Sequence, residues 1–298
     1  MINKAVYTYK VIKNCEIKAD VYAATDTALH PVIMWLHGGA LIWGNRESIS
    51  PEQVKKYIEA GFTVVSVDYR LAPETKLVNI VEDIRDAYYW IRGKGPKLFR
   101  IDPNRVAVIG HSAGGYLALM TGFYVNPRPA VLVSFYGYGD IAGTWYSRPD
   151  SFYRQQPLVT RDEAYKTVGS QIISSTPPNS NRWFYYLYCR QNGLWTREVT
   201  SHDPDSADKF FDLYCPVRNV SGDYPPTLLL HGDADTDVPY EQSVMMANEL
   251  ARTKCVHELK TIPGGGHVFD NDGMEDTRVA NSFKRVLSFL QQHLIREK

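Results

Sequence analysis

The sequence predicts an α/β protein built on a mainly parallel central sheet with helices on both faces and one inserted segment. Two observations lead there. Short, nearly continuous apolar runs recur at Val32 to Leu36, Phe62 to Val67, Val106 to Ile109, Ala130 to Phe135 and Thr227 to Leu230. Runs of that length, rich in Val and Ile and ended by Gly or Asp, suit strands buried on both faces. Segments with apolar residues at helical spacing alternate with them, the pattern of a parallel sheet.

The elements follow in order. Ala5 to Ile12 and Cys15 to Ala23 alternate apolar and polar residues, as antiparallel strands with one wet face do. Ser50-Pro51-Glu52-Gln53 has the form of a capping box with Pro at the first helical position, and Gly61 stops that helix. From Leu77 to Arg92, one side carries Ile80, Val81, Ile84, Ala87, Tyr88 and Ile91. Tyr240 to Arg252 and Glu275 to His293 are further amphipathic helices, the last capped from Asp272-Gly273-Met274-Glu275. The rhythm breaks from about Ile141 to Asp223, where many aromatics mix with Arg, Pro and Ser. A structureless loop of that length is out of place in a compact domain. The expectation is a core of residues 1–140 and 224–298 and a mostly helical inserted cap or lid at 141–223.

Composition narrows the class. A chain of 298 residues with 44% hydrophobic residues can bury a sizeable core. Lys plus Arg and Asp plus Glu are equal at 33 each, with no basic arm or stripe, so neither nucleic acid nor an anionic membrane surface is indicated as partner. No run approaches the roughly 18 apolar residues that span a bilayer, and the N-terminus lacks the apolar core of a signal peptide. Cys15, Cys189, Cys215 and Cys255 are too dispersed for a local metal site. Reduced thiols and a cytoplasmic location are expected, a Cys189–Cys215 bridge across the insertion being the alternative. The sequence leaves room for a homodimer.

Chemistry concentrates at Gly110-His111-Ser112-Ala113-Gly114, which follows a strand and precedes the helix-like Gly115 to Met120. That is the setting of a nucleophile elbow, in which a tight turn pushes the serine out at its apex. A serine hydroxyl needs a general base, usually imidazole. With the order serine, acid, histidine, the candidates are His231, His257, His267 and His293. His267 stands in a flexible glycine loop, Pro263 to Phe269, that can swing the ring over the sheet. His257 begins a strand, His293 lies on a helix, and His111 points away beside the serine. The acid comes from Asp233, Asp235 or Asp237, which the local sequence does not rank; turn or cap roles are the alternative for each. His37-Gly38-Gly39-Ala40 follows a strand, and its small residues leave backbone N–H groups to face an oxyanion together with that of Ala113.

Together these segments resemble the α/β-hydrolase superfamily, and within it the hormone-sensitive-lipase-like esterase and carboxylesterase group. The resemblance rests on His37 to Ala40 with Gly44, on Asp68-Tyr69-Arg70-Leu71-Ala72-Pro73-Glu74, and on Asp102 through Gly115. It spans about residues 30–140 and 225–295. It implies the α/β-hydrolase fold, a triad of Ser112, Asp235 and His267, and oxyanion donors at Gly38, Gly39 and Ala113, with Ala40 a further candidate. Asp235 is singled out because the group places its acid in an Asp-x-x-Val-Pro pattern. Two departures are Ala40 in place of a third glycine and His111 where many members carry Asp. The implied activity is hydrolysis of carboxylic esters of small to medium acyl groups, with no metal or organic cofactor and an apolar or aromatic pocket. A prolyl-oligopeptidase-like peptidase or amidase would use the same triad, and a non-catalytic binding protein is the reading from another class.

Overall fold

A computed structural model describes residues 2–26, 28–206 and 208–295. Eight strands form one sheet in the order β1-β2-β4-β3-β5-β6-β7-β8. They are β1 (Ile2–Ile12), β2 (Cys15–Ala24), β3 (His30–Leu36), β4 (Thr63–Val67), β5 (Ile101–His111), β6 (Val131–Phe135), β7 (Thr227–Gly232) and β8 (His257–Ile262). The β1–β2 and β2–β4 pairings are antiparallel and all the others parallel, as the alternation in the first two strands and the apolar runs in the rest predict.

Side chains of β3 divide strictly between two cores. Val32, Met34 and Leu36 join the core that contains α2 (Leu77–Phe99) and α3 (Ala113–Tyr124). Ile33 and Trp35 join the core beneath α1 (Pro51–Glu59) and the C-terminal helix. The two-residue period of a strand thus serves both faces at once. Between β6 and β7 the chain forms α4 (Thr144–Ser147), α5 (Arg161–Tyr165), α6 (Trp183–Asn192), α7 (Trp195–Thr200) and α8 (Asp208–Tyr214). The remaining helices are α9 (Glu241–Arg252) and α10 (Thr277–Leu294).

Several local expectations are corrected. The Ser50 side chain does not cap α1; Gln53 instead donates to Asp270 at 3.0 Å, a tertiary bond that takes the box's second member away. The box that does form is Thr160 with Glu163, at the start of α5. α2 continues past Arg92 to Phe99 through Gly95 and Pro96. Packing of Phe99 and Ile101 around Gly95 overrides the weak helix propensity there. α10 starts at Thr277 and is capped by Asp276, whose carboxylate takes the Arg278 N–H, while Asp272 ends a preceding 3-10 turn. All four cysteines are free. Cys189 and Cys215 are not bridged: the Cys215 thiol lies 3.3 Å from Asp140 Oδ1.

The inserted helices are fastened to the sheet by buried charge. Arg182, at the start of α6, pairs with Glu74 at 2.7 Å with both side chains 2% exposed. It also donates to the carbonyls of Ile42 and Ala72, and Glu74 takes the Gly169 N–H at 2.7 Å. Removing one member of a buried pair leaves the other charge without compensation. Glu74→Ala is therefore expected to destabilise the protein by about 3–5 kcal/mol, read as a lower midpoint in urea denaturation, with Glu74→Gln losing less.

Candidate active site

Ser112 sits at the junction where β5 ends and α3 begins, with φ 53° and ψ −116°. A non-glycine residue pays conformational strain in that region and keeps it only where the surroundings enforce it. Here its N–H donates to the Phe135 carbonyl at 2.9 Å and its carbonyl accepts the Tyr116 N–H at 3.0 Å. The flanking glycines are required by contact. A Cβ on Gly110 would lie 1.9 Å from the Gly114 carbonyl oxygen, and one on Gly114 would lie 2.2 Å from that of Leu36. Close approach of α3 to β5 and β3 presents the hydroxyl at the C-terminal edge of the sheet.

His267 reaches that hydroxyl from the loop after β8. Its Nε2 is 3.0 Å from Ser112 Oγ, and its Nδ1 is 2.7 Å from Asp235 Oδ2. Residues distant in the chain thus form one continuous line of hydrogen bonds. The three neighbouring aspartates have three different tasks. Asp235 folds back on its own turn, with Oδ1 accepting the N–H groups of Asp237 at 2.8 Å and Val238 at 2.9 Å. Its Oδ2 also lies 3.2 Å from His231 Nε2. Asp233 takes the Gly264 N–H at 2.6 Å and so steadies the glycine loop. Asp237 faces the insertion: its Oδ1 accepts from Tyr153 Oη at 2.9 Å, from Arg190 Nη1 at 2.7 Å and from Tyr186 Oη.

Asp237 has a second consequence that sequence reasoning missed. Its other oxygen, Oδ2, lies 3.4 Å from His267 Nε2. The carboxylate therefore touches both the imidazole and Arg190, itself 1% exposed among the rings of Tyr146, Tyr153 and Tyr186. Nothing in the local sequence distinguishes Asp237 in this way, because its partners come from α6 and from the 3-10 turn Tyr153–Gln155 before α5.

The other candidate histidines each have surroundings of their own. His231 is fully buried and bonds Ser243 Oγ at 2.7 Å. His257 bonds the Cys255 carbonyl at 2.9 Å at the start of β8. His293 packs on Phe289 in α10. His111 is enclosed edge-on by Trp35 and Phe135, with its Nε2 3.7 Å from Asp270 Oδ2. Burial lowers its pKa, opposed by Asp270.

Electrostatics distinguish the two bonded partners. Burial pushes the Asp235 carboxyl up, but hydrogen bonds from His231 and His267 more than reverse this and hold it well below the usual carboxylate range. Burial pulls His267 down, while Asp237 and then Asp235 pull it up, and its net direction is above the ordinary 6.5. Asp235 is accordingly ionised and able to fix the imidazole tautomer with Nδ1 protonated, leaving Nε2 to accept from the serine hydroxyl.

The loop after β3 completes the site. Gly39 has φ 99°, and a Cβ there would meet the Trp43 carbonyl oxygen at 2.1 Å. Ile42 and Trp43 N–H groups both return to the Gly39 carbonyl, at 2.8 and 2.9 Å, which closes the loop tightly. Beneath it, the His37 ring stacks on Tyr69 with centroids 4.1 Å apart, and Tyr69 Oη donates to the His37 carbonyl at 2.8 Å. Asp68 binds Arg46 at 2.7 Å and Arg70 binds Asp83 at 2.7 Å. The Asp68–Glu74 string is thus a buttress for the glycine loop. Gly38, Gly39 and Ala40 line the same cavity as Ser112, with a volume of about 660 Å³. Ala113 opens α3, where first-turn N–H groups have no intrahelical acceptor.

Comparison with known proteins bears on the fold. Among curated sequences, the non-reducing polyketide synthase Preu3 of Preussia isomera is 30% identical over 309 residues, which cover 86% of this chain and 12% of that protein. The chain thus spans about an eighth of the length of the curated relatives it matches. Among solved structures, a bacterial heroin esterase superposes with a TM-score of 0.74 at 23% identity, covering 99% of this chain and 85% of that one. Esterase LipW from Mycobacterium marinum gives 0.73 at 21%, covering 99% and 83%. A family model described as the alpha/beta hydrolase fold matches residues 33–271. The chain belongs to the α/β-hydrolase fold family.

Proposed function

We propose that this α/β hydrolase cleaves carboxylic esters of small to medium acyl groups through an acyl-enzyme on Ser112. The observation that carries the reading is the line Ser112 Oγ–His267–Asp235, at 3.0 and 2.7 Å, below an open cavity. In the first step the Ser112 hydroxyl attacks the ester carbonyl carbon as His267 Nε2 takes its proton. The oxyanion is held by the backbone N–H groups of Gly38, Gly39 and Ala113. The carbonyl–oxygen bond to the alcohol then breaks, and His267 returns the proton to the leaving oxygen. Water repeats the cycle on the acyl-enzyme and releases the carboxylic acid. Asp235 stays ionised throughout and stabilises the imidazolium. Residues 141–223 act as a cap in this reading, supported by Tyr153 and Trp183, which line the cavity with Ser112. Four free thiols fit a reducing compartment, and we place the protein in the cytoplasm.

A second reading replaces the ester by an acyl thioester. It is favoured by the matches over most of this chain to polyketide synthases, of which the chain corresponds to a small part. The same serine, base and oxyanion donors serve either leaving group.

A fluorophosphonate probe is expected to label Ser112 and to leave Ser112→Ala unlabelled. Turnover of 4-nitrophenyl butyrate should fall by about 10³-fold or more in that variant, as measured for triad serines. Absence of labelling would overturn the nucleophile. Turnover of a peptide anilide with none of the ester would overturn the substrate assignment, and preference for butyryl thioester over the oxygen ester would select the second reading.

The acid limb of kcat/KM reports the His267 proton, because only neutral imidazole accepts from Ser112. With the His267 pKa raised by Asp237 and Asp235, activity should fall on acidification through a pH above 6.5. Asp237→Asn removes the foremost raising charge, so its acid limb is expected at lower pH. An unmoved limb in the pH–rate profile would refute the influence of Asp237.

A further inference from the structure

The proposed reaction leaves open what kind of group the cavity holds, and its walls carry information about that. The partly exposed Trp43 and Trp183 line it, with the almost fully buried Trp35, Tyr136 and Tyr153 behind them, whereas Ala40 and Val268 supply its aliphatic side chains. Trp183 packs edge-on to Trp43 with centroids 6.0 Å apart, and Tyr153 lies 6.0 Å from Trp183. Such a wall offers ring faces and edges to a flat or cyclic group. It offers little methylene surface to an extended alkyl chain.

Another part of the same wall is polar. Asp270 receives the Tyr136 hydroxyl on Oδ1 at 2.6 Å and Gln53 Nε2 on Oδ2 at 3.0 Å. Gln53 is 3% exposed, and its Oε1 is buried with no hydrogen-bond partner among the described residues. Exchanging the two ends of the amide does not resolve this, because Nε2 is already committed to Asp270. His111 Nε2 is likewise buried without a hydrogen-bond partner and stands 3.7 Å from Asp270 Oδ2. Both side chains line the cavity. A buried acceptor left unpaired costs about 1–3 kcal/mol, and a site built to receive a hydroxyl rejects analogues that lack one far more strongly than an apolar pocket discriminates by size.

We propose that this cavity is a binding site for a ring bearing hydroxyl donors, carried as the acyl or alcohol part of the substrate, in which the ring lies against the Trp and Tyr side chains and its hydroxyls donate to the Gln53–Asp270 wall. The assignment rests on the reading of Ser112 as the nucleophile only for its place in the reaction; the binding itself does not require it. A phenolic ring and a sugar ring share this chemistry. A linear aliphatic acyl chain does not: it would leave Gln53 Oε1 unpaired and lie against ring edges.

Binding to the full chain carrying Ser112→Ala tests the proposal without turnover. Resorcinol, methyl β-xyloside, phenol and 1-hexanol are titrated by calorimetry and by tryptophan fluorescence. One of the two polyhydroxy rings is expected to bind at least about tenfold more tightly than 1-hexanol, with phenol between them, the size of step a hydrogen-bonding site imposes. Resorcinol ahead of the xyloside identifies a phenolic ligand, and the reverse order a sugar. Gln53→Leu should abolish the hydroxyl preference. Trp183→Ala, at a residue 39% exposed and outside the buried core, should weaken every ring ligand and spare 1-hexanol. Equal or tighter binding of 1-hexanol, or saturation by neither ring, overturns the proposal. Failure of Ser112 to react with a fluorophosphonate overturns the hydrolytic reading instead, and leaves this result standing.

Discussion

The close approach of α3 to β5 and β3 is the constraint on which the site depends. Ser112 can hold φ 53° only because Gly110 and Gly114 let backbone meet backbone without an intervening Cβ. The same approach places the first turn of α3, with its unpaired N–H groups and positive dipole end, beside the serine. In the proposed mechanism, nucleophile and oxyanion donor are therefore consequences of one packing contact. Relaxing that contact would lose both together.

The remaining parts are braced from outside the sheet. Tyr69 holds the glycine loop through His37, while Glu74, a few residues further on, holds the insertion through Arg182. Asp237 does the equivalent on the other side, taking Arg190, Tyr153 and Tyr186 from the insertion on one oxygen and approaching His267 with the other. The insertion is thereby tied to the site at two charged points. In the proposed mechanism, its docking and the basicity of His267 are physically linked.

The cavity departs from what its aromatic content suggests when read along the chain. Many of the aromatics at 141–223 join the same core as α2 and α3 and do not form one of their own: Tyr146 and Trp195 stack with centroids 3.8 Å apart and both are buried in it. The rings that reach the cavity come from several elements, Trp35 from β3 and Trp43 from the glycine loop among them. Its polar wall combines a helix residue, Gln53, with Asp270 from the turn before α10. The expectation of an apolar or aromatic pocket holds for only part of it.

The sequence by itself determined the strand–helix alternation and the chemical identity of the elbow, because strand burial, helical period and glycine contacts are local properties that each segment carries in its own pattern. It also placed His267 in a loop able to reach back over the sheet. It could not rank Asp233, Asp235 and Asp237 by their own pattern, since what separates them is which partner each meets: a glycine loop, two histidines or an arginine from the insertion. Those partners are brought within reach only by tertiary folding. For the same reason the Ser50–Gln53 signal misled, its glutamine being drawn to Asp270, 217 residues away along the chain. The Ser112 turn was legible from five residues; the surroundings that bring His267 to it, push that imidazole's pKa up and form a polar wall come from across the whole fold.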